Sequence, residues 1–489
     1  MKLLAGTCKG KADAIFLFFC EGEKVLSKTA KEVERLSGNG ISRLLEMGFK
    51  AKRRDCELLV LSSARWGLAV LLGAGKRKDL NGEAFREAVS AGLKRISQYK
   101  VKRIEVELLE PLDNSFSLEE EARAVGEAFY LASYQYSEYK KRDLSAASEV
   151  YVLGGDRGIG KALGIAEVIG EEHCYIRDLI NKPGADLGPE EFAQEARRSA
   201  KKYGLKVKVY DEKALQRMGY NGVLRVGQGS RKPARLVELR YQALGASKAW
   251  VGLVGKGITF DTGGISLKSA QGMEQMKGDM TGAAVVLGVM RCAARLKLGL
   301  NLIGVIPLAE NMPGGAAQRP GDVIRMADGT TVEVISTDAE GRLILADALY
   351  HCQLFKPEQV LDIATLTGAC KIALGRYAIA LMGNDEALMS KLSQAGALAG
   401  ERCWILPLWD EYMSLLKSDI ADIKNGNWAR EAGTIVGGIF LKKFVKDVPW
   451  AHLDIASVDW ADEAHPYLGK GPTGKGMRLL VRYLEELKG

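Results

Sequence analysis

Residues 255–264 read Gly-Lys-Gly-Ile-Thr-Phe-Asp-Thr-Gly-Gly, and residues 336–343 read Ser-Thr-Asp-Ala-Glu-Gly-Arg-Leu. Both stretches place charged side chains among glycines, next to apolar segments that are typical of buried strands. Charged side chains are rarely buried unless they pair with one another or bind a metal ion. The region between these stretches also contains Lys268 and Asp279. This mixture predicts a hydrolytic site in which carboxylates hold divalent cations.

Each of the acidic residues also has an ordinary structural explanation. Asp261 follows a strand-like run and precedes a glycine pair, so its side chain either points into a cleft at the end of a sheet or belongs to a simple turn. Asp279 fits a helix N-cap equally well. Asp338, Glu340 and Arg342 would share one side of an extended chain, but Thr337 and Glu340 also have the spacing of a helix capping box.

Length and composition predict a folded protein of more than one domain. The chain has 489 residues, of which 47% are hydrophobic and 27% charged, whereas a typical domain has roughly 100–200 residues. Strand-like and helix-like segments alternate, which is typical of α/β proteins. We predict a smaller N-terminal α/β domain over residues 1–155, a connecting helix over 156–172, and a larger α/β domain over 173–489 that carries the chemistry.

Cysteine usage and hydropathy indicate a cytoplasmic location. The eight cysteines are scattered without any Cys-x-x-Cys pair, which gives no support for a zinc ribbon and fits a reducing compartment. The apolar run Ala14–Cys20 is shorter than the about 20 residues that span a membrane. We therefore expect no membrane partner.

Histidine is too scarce to dominate the site. The chain has four histidines, and none lies between Lys256 and Leu343. A histidine-based zinc site or a Ser-His-Asp triad would have to draw on these four residues. Oxygen ligands suit hard and borderline cations, so a carboxylate-rich site for two metal ions needs none of them.

The motif Ser336–Leu343 and several others resemble the cytosolic leucine aminopeptidase family of dinuclear metallopeptidases. That family carries Asn-Thr-Asp-Ala-Glu-Gly-Arg-Leu where this chain has serine in the first position. Further similar segments follow in family order, and the resemblance extends over about residues 173–489. These segments are Tyr175–Pro183, Val226–Ser230, Thr365–Ala369, Ser418–Asp422, Trp450–Ala456 and Gly471–Gly474.

The resemblance implies an aminopeptidase with two divalent metal ions, Mn²⁺ or Zn²⁺ and alternatively Mg²⁺, whose shared hydroxide attacks the first peptide bond. Lys268 would stabilise the oxyanion, and Arg342 would hold a bicarbonate ion that shuttles protons. Lys256 ligates only as a neutral amine, so we expect a lowered pKa from burial and from the cations. The implied metal ligands are Lys256, Asp261, Asp279, Asp338 and Glu340, and the implied substrate-binding residues are Met276, Thr365, Gly368 and Ala456.

The resemblance also implies the architecture of the larger domain and the assembly. The catalytic domain would have a mixed central sheet sandwiched between helices, and the protein would form a homohexamer that acts on peptides.

Three positions depart from the family pattern. Ser336 replaces the asparagine beside the ligands, for which we expect a changed environment and no lost ligand. Gly278 replaces a bulky aromatic residue, which would loosen the metal shell. Asp459 stands near an apolar pocket position and either favours basic over leucyl-like N-terminal residues or turns away to solvent.

Two other functions deserve comparison. The run Tyr151–Gly160 has the glycine spacing of a short-chain dehydrogenase, which would make the protein an NAD-dependent oxidoreductase. The matching Tyr-x-x-x-Lys pair is missing downstream, and Tyr136 with Lys140 lies on the wrong side. The formal charge of +8 permits an additional DNA-binding role through basic runs such as Lys50–Arg54, although solvated surface is the favoured explanation of such runs.

Overall fold

Two compact units make up the chain in the computed structural model. The first comprises Met1–Cys174 and Glu463–Lys470, and the second Tyr175–Asp462 and Gly471–Gly489. The predicted α/β class, with a smaller and a larger domain, is confirmed. The structure describes residues 1–23, 25–109, 116–141, 147–154, 157–245, 249–429 and 431–487.

The first unit alternates strands and helices. Its elements are β1 (Lys2–Ala5), β2 (Ala12–Cys20), α1 (Lys28–Leu36), α2 (Gly40–Glu46), β3 (Cys56–Val60), β4 (Trp66–Gly75), a 3-10 turn (Arg77–Asp79), α3 (Gly82–Arg95), β5 (Arg103–Glu107), α4 (Leu118–Ala132) and β6 (Glu149–Val152).

Its sheet has the strand order β1-β6-β5-β2-β4-β3, and β3 is its antiparallel edge strand. The central strand β2 is apolar on both faces because helices cover both faces. Phe16 packs on Phe129 of α4, while Ile15 on the other face shares a core with Val33 of α1. The apolar run Ala14–Cys20 is thus a buried strand.

A long helix, α5 (Arg157–Asn181), carries the chain from the first unit into the second. It contains the residues predicted as a connecting helix, apart from Asp156, which lies outside the described residues. The helix continues beyond residue 172, and the division between the units falls inside it. The domain boundaries at 155 and 172 stay predictions.

The second unit begins at Tyr175, inside α5, and resumes at Gly471 after Glu463–Lys470, which belong to the first unit. Its elements, together with β19 and β20, are α6 (Pro189–Tyr203), β7 (Lys206–Tyr210), α7 (Glu212–Met218), α8 (Asn221–Gly227), β8 (Arg235–Tyr241), β9 (Trp250–Gly255), β10 (Gly257–Asp261), a 3-10 helix (Met273–Gly278), α9 (Thr281–Leu296), β11 (Asn301–Asn311), β12 (Val323–Arg325), β13 (Thr331–Glu333), α10 (Gly341–Gln353), β14 (Gln359–Ala364), α11 (Gly368–Leu374), β15 (Ile379–Gly383), α12 (Glu386–Ala399), β16 (Cys403–Ile405), a second 3-10 helix (Asp410–Leu416), β17 (Ile423–Lys424), α13 (Gly433–Lys442), β18 (Trp450–Asp454), β19 (Trp460–His465), β20 (Gly469–Pro472) and α14 (Met477–Glu486).

A mixed sheet forms the centre of this unit, in the order β16-β15-β18-β14-β9-β11-β8-β7, with β10 beside β11. Strands β18, β14, β9 and β11 are parallel, whereas β15, β8 and β7 contribute antiparallel pairs. Val254 shares a core with α10 and α13, and its neighbour Gly255 faces Val286 of α9. Successive strand residues point to opposite faces, so helices cover both sides and the predicted sandwich is confirmed.

None of the helices in the described part of the chain combines the length and the apolar character needed to cross a bilayer.

Helix α9 begins almost in contact with the backbone of the central strands. A Cβ atom on Gly282 would lie 2.2 Å from the carbonyl oxygen of Ile363 and 2.8 Å from the amide nitrogen of Lys256. The Ala283 N–H donates to the Lys256 carbonyl at 2.8 Å. Glycine at this position therefore lets α9 hold Lys256 at the carboxyl end of β9.

We predict that Gly282→Ala lowers the free energy of unfolding by about 1–3 kcal/mol, because the added methyl group has no room. Urea denaturation followed by circular dichroism measures the change. Gly315→Ala is the matched control in the same unit, since a Cβ there would meet nothing within 4 Å. Equal stability of the two variants would contradict this account of the close approach.

Candidate metal centre

Charged residues gather at the carboxyl ends of the parallel strands of the second unit. Lys256 directly follows β9, Asp261 ends β10, Thr365 follows β14 and Asp454 ends β18. In open α/β sheets, the crevice beyond these strand ends is where ligands bind. The predicted location of Asp261, at a strand end before a tight turn, agrees with the structure.

Three carboxylates converge there. One oxygen each from Asp261, Asp338 and Glu340 lies within 4.8 Å of the others. Asp261 and Glu340 are buried, whereas Asp338 is exposed. Asp261 is far in sequence from Asp338 and Glu340, so the fold itself brings it to them.

Asp279 joins this group through Lys256. The Lys256 Nζ lies 2.7 Å from Asp279 Oδ2 and 2.9 Å from Glu340 Oε1, and it donates to the Thr365 carbonyl at 2.8 Å. A Cβ on Gly341 would lie 2.4 Å from Lys256 Cε. Glycine at the start of α10 therefore leaves the space through which the lysine reaches the carboxylates.

Lys268 bridges the other side of the cluster. Its Nζ lies 2.7 Å from Asp261 Oδ2 and also contacts Asp338 Oδ1. The Lys268 side chain is 24% exposed and that of Lys256 is 3% exposed. Of the two lysines, only Lys268 is thus open to an incoming molecule.

The glycine turn after β10 fits closely between these groups. Gly263 and Gly264 have φ values of +87° and +68°, which favour glycine. The Thr337 hydroxyl donates to the Gly263 carbonyl and accepts from Ser266 N–H at 2.8 Å. The side chain of Thr337 thus ties the loop of Asp338 to the turn beyond Asp261.

The local structure predicted for Asp338, Glu340 and Arg342 is wrong in both of its versions. The backbone at Asp338 is a turn, not an extended strand. Helix α10 begins at Gly341, and Glu340 is its N-cap residue without a side-chain capping bond. Thr337 bonds the glycine turn, so it forms no capping box.

The alternative prediction of an N-cap role for Asp279 is also wrong. Helix α9 begins at Thr281 with Met280 as its N-cap. The Asp279 carboxylate instead accepts hydrogen bonds at Oδ1 from Lys256 Nζ at 2.8 Å and from the Thr365 hydroxyl at 2.7 Å.

Arg342 lies in the first turn of α10 with 8% of its surface exposed. Its Nη1 donates to the Asn425 carbonyl at 2.8 Å. Nε has no hydrogen-bond partner among the described residues. Burial lowers the pKa of Arg342 to about 10 despite the nearby Glu340. A buried guanidinium with spare donors is suited to a small anion.

Of the residues expected to bind substrate, Thr365 contacts the cluster, and Gly368 begins α11. Thr365 bonds Asp279, and a Cβ on Gly368 would meet nothing within 4 Å. Met276 is half-buried in a 3-10 helix that ends next to Asp279. Ala456 is half-buried just after β18, with its N–H donating to Asp454 Oδ1 at 3.1 Å.

The protein groups alone keep both lysines protonated. Burial would lower the pKa of Lys256, but Asp279 and Glu340 outweigh it and raise that pKa above its ordinary value. At Lys268, burial likewise acts to lower the pKa, but Asp261 and the neighbouring carboxylates outweigh it. The pKa of Lys268 is therefore also raised above its ordinary value. The lowered pKa predicted for Lys256 is thus not produced by its protein surroundings, and only the cations themselves would supply it.

The donor set fits divalent cations. Glu340 Oε2 is buried and accepts no hydrogen bond from a described residue, whereas the buried Asp279 Oδ2 forms an ion pair with Lys256 at 2.7 Å. Burial raises the pKa of Asp279 well above its ordinary range, and the neighbouring carboxylates raise it further. Carboxylate oxygens are the ligands that Mg²⁺ and Mn²⁺ prefer and that Zn²⁺ also accepts.

Sequence reasoning missed Asn311, the last residue of β11. Its Nδ2 donates to Asp261 Oδ1 at 2.8 Å and to the Thr337 carbonyl at 3.1 Å. This amide orients Asp261 and holds the next loop beside it. A polar residue at the end of a long apolar strand was the available signal.

The space at Gly278, next to Asp279, is bounded by neighbouring side chains. A Cβ there would lie 3.6 Å from Ile180 and from the Trp460 ring. Ser336 keeps a local role, since its hydroxyl accepts from Asp338 N–H at 3.3 Å. Both departures from the family pattern thus leave the carboxylates in place.

Two family models match almost the whole chain. The cytosol aminopeptidase family, catalytic domain, matches residues 174–481, and the N-terminal domain of the same family matches residues 14–143. The chain belongs to the cytosol aminopeptidase family. Members are metal-dependent aminopeptidases, so the protein is a hydrolase of the exopeptidase class, and the predicted family and enzyme class are confirmed.

Relatives in the cytosol aminopeptidase family cover the chain nearly end to end. A probable cytosol aminopeptidase of Geobacter sp. (strain M21) is 46% identical over 93% of both chains. The cytosol aminopeptidase of Pseudomonas aeruginosa (strain PAO1) is 40% identical over 97% of both. Among solved structures, the bottromycin maturation enzyme BotP in complex with Mn matches with a TM-score of 0.87 and 35% identity, over 98% of this chain and 100% of that one.

Proposed function

We propose that the protein removes the N-terminal residue from peptides at a centre for two divalent metal ions. The observation that carries the proposal is the convergence of the acidic side chains around Lys256 and Lys268 at the strand ends. Mn²⁺ or Zn²⁺, or alternatively Mg²⁺, would be held by Lys256, Asp261, Asp279, Asp338 and Glu340.

When bound, the two ions would supply an activated water, polarise the scissile carbonyl and anchor the free α-amine of the substrate. The protein's own groups would complete the site. Lys268 is protonated and partly exposed, so its ammonium would stabilise negative charge that develops on the carbonyl oxygen. Met276, Thr365, Gly368 and Ala456 would line the pocket for the first residue.

Removal of the metal ions should abolish activity. We expect metal-free protein to cleave leucine p-nitroanilide at least 100-fold more slowly, and Mn²⁺ or Zn²⁺ to restore the rate. Asp261→Asn keeps the shape of the side chain but loses its charge, so added metal should not rescue that variant. Steady-state kinetics, with metal content measured by mass spectrometry and N-acetyl-leucine p-nitroanilide as the uncleaved control, provide the test. Full activity of a metal-free protein would refute the proposal.

Arg342 would hold bicarbonate as a proton carrier. Its buried guanidinium has a spare Nε donor, and no carboxylate of the described residues forms an ion pair with it. The pKa of Arg342 remains far above neutral, at about 10, so the side chain is a cation under working conditions.

Bicarbonate should therefore accelerate the wild-type enzyme and not Arg342→Ala. We expect a several-fold lower kcat in carbonate-free buffer, with recovery on addition of millimolar bicarbonate. Kinetics at constant pH and ionic strength, with sodium chloride as the matched salt, measure the effect. A wild-type rate that is indifferent to bicarbonate would remove this role.

Asp459 would extend the preference from leucyl-like to basic N-terminal residues. Asp459 is half-buried just after β18. Burial raises the pKa of Asp459 to about 7, although Lys371 acts in the opposite direction. The Lys371 ammonium itself lies 3.5 Å from Asp462. With a pKa near neutral, Asp459 would be charged at working pH and would attract a substrate cation if its carboxylate lines the pocket.

We predict that the ratio of kcat/KM for arginyl and leucyl p-nitroanilides rises about tenfold between pH 6 and pH 8, as expected for a partly buried ion pair. The direction follows because Asp459 is largely protonated below pH 7 and charged above it. Asp459→Asn should show a flat ratio. The methionyl to leucyl ratio is the control, since both residues are uncharged. Identical pH dependence in the variant and the wild type would contradict the role of Asp459.

Assembly and location are proposals from the family. We propose a cytoplasmic homohexamer, which light scattering of the purified protein would test. Three tryptophan side chains are largely exposed to solvent, 64% for Trp404, 64% for Trp409 and 74% for Trp428. Apolar surface of this kind is often covered in oligomers.

The structure gives little support for the two alternative functions, DNA binding and NAD-dependent oxidoreduction. In the basic run Lys50–Arg54, Arg53 and Arg54 pair with Glu87, so part of its charge is neutralised. The glycine pattern of the NAD alternative includes Gly155 and Asp156, which lie outside the described residues. We propose neither DNA binding nor NAD-dependent chemistry.

A further inference from the structure

Asn425 is a fully buried residue beside the metal centre that the motif analysis did not single out. It follows β17 and has 0% of its surface exposed. Its N–H donates to the Glu333 carbonyl at 2.9 Å, which continues the pairing of β17 with β13. The backbone at Asn425 is therefore held by the small three-stranded sheet.

The side chain of Asn425 binds the loop that carries Asp338. Its Oδ1 accepts from the N–H groups of Ile335 at 2.9 Å and Ser336 at 3.4 Å. Its Nδ2 donates to the carbonyl groups of Ser336 at 2.7 Å and Ala339 at 3.4 Å. An amide has two acceptor and two donor positions, and this loop uses all four.

The loop itself has few internal restraints. Residues 334–340 form no helix or strand, and the Ala339 N–H reaches the Ser336 carbonyl only at 3.3 Å. Thr337 ties the loop to the glycine turn on one side, and Asn425 ties it on the other. Asn311 Nδ2 also donates to the Thr337 carbonyl, so Asp338 and Glu340 depend for their positions on side-chain anchors on both sides of the loop.

The main chain of Asn425 reaches the third charged group of the motif. Its carbonyl oxygen accepts from Arg342 Nη1 at 2.8 Å. A single residue therefore contacts both the loop of the two carboxylates and the guanidinium. Asparagine suits this position because an aspartate would direct a carboxylate oxygen at two carbonyl groups.

We propose that Asn425 is a positioning residue of the aminopeptidase site, which sets the places of Asp338 and Glu340 without touching the metal ions or the substrate. This inference rests on the proposed function. Residues that orient metal ligands typically change metal affinity or activity 10–100-fold when they are replaced.

Asn425→Ala should weaken binding of Mn²⁺ to at least one of the two sites by about 10–100-fold in calorimetric titrations of metal-free protein. The kcat for leucine p-nitroanilide at saturating Mn²⁺ should fall by a similar factor, with a smaller change in KM. Asn425→Asp keeps the Oδ1 acceptor but directs a carboxylate oxygen at the Ser336 and Ala339 carbonyls, so its loss should be at least as large. The measurements are made on the full chain.

Asn384→Ala is the matched control. Asn384 also joins two backbone segments, donating to the Val448 carbonyl at 2.9 Å and accepting from Trp450 N–H at 2.7 Å, but it lies at the opposite end of β18 from Asp454. Its variant should bind Mn²⁺ like the wild type.

Wild-type Mn²⁺ affinity and kcat in Asn425→Ala would overturn the inference. If that variant does not fold, Asn425→Asp decides, and wild-type metal affinity there would overturn it equally. The proposed function fails separately, when the wild-type protein itself binds no metal and cleaves no aminoacyl substrate.

Discussion

Electrostatic repulsion among four carboxylates in one crevice is the constraint on which the site depends. Asp261, Asp279, Asp338 and Glu340 lie around only two ammonium groups, those of Lys256 and Lys268. An excess of buried negative charge is costly in a protein interior. Divalent cations, which the family implies, would offset that cost, and the buried Glu340 Oε2, which accepts no hydrogen bond from a described residue, would be available to bind one.

The fold brings these carboxylates together despite their mutual repulsion. Parallel strands end at a common edge, so residues that are distant in sequence are brought together there. Glycines then allow the backbone and the Lys256 side chain to approach closely, at Gly282 and Gly341. Uncharged side chains fix the acidic groups from behind: Asn311 holds Asp261, and Thr365 holds Asp279. The acidic residues would bind the metal ions, while the neighbouring residues determine where the carboxylates point.

The sequence predicted the class of fold and the cluster of residues better than it predicted local geometry. The apolar segments typical of buried strands are strands in the structure, such as β9 (Trp250–Gly255), which directly precedes Lys256. The loop before α10 was mispredicted, because Thr337 has the residue type of a helix cap while its hydroxyl bonds the distant Gly263. Sequence spacing alone does not report such a tertiary contact. Asn311 and Asn425 were missed for the same reason, since an isolated asparagine has no periodic pattern.

The most direct measurement of the central claim is anomalous diffraction from crystals of the protein soaked with Mn²⁺. The account predicts two anomalous peaks, roughly 3.5–4 Å apart, among Lys256, Asp261, Asp279, Asp338 and Glu340. Mn²⁺ peaks only elsewhere on the protein, or none at all in an active crystal, would contradict it.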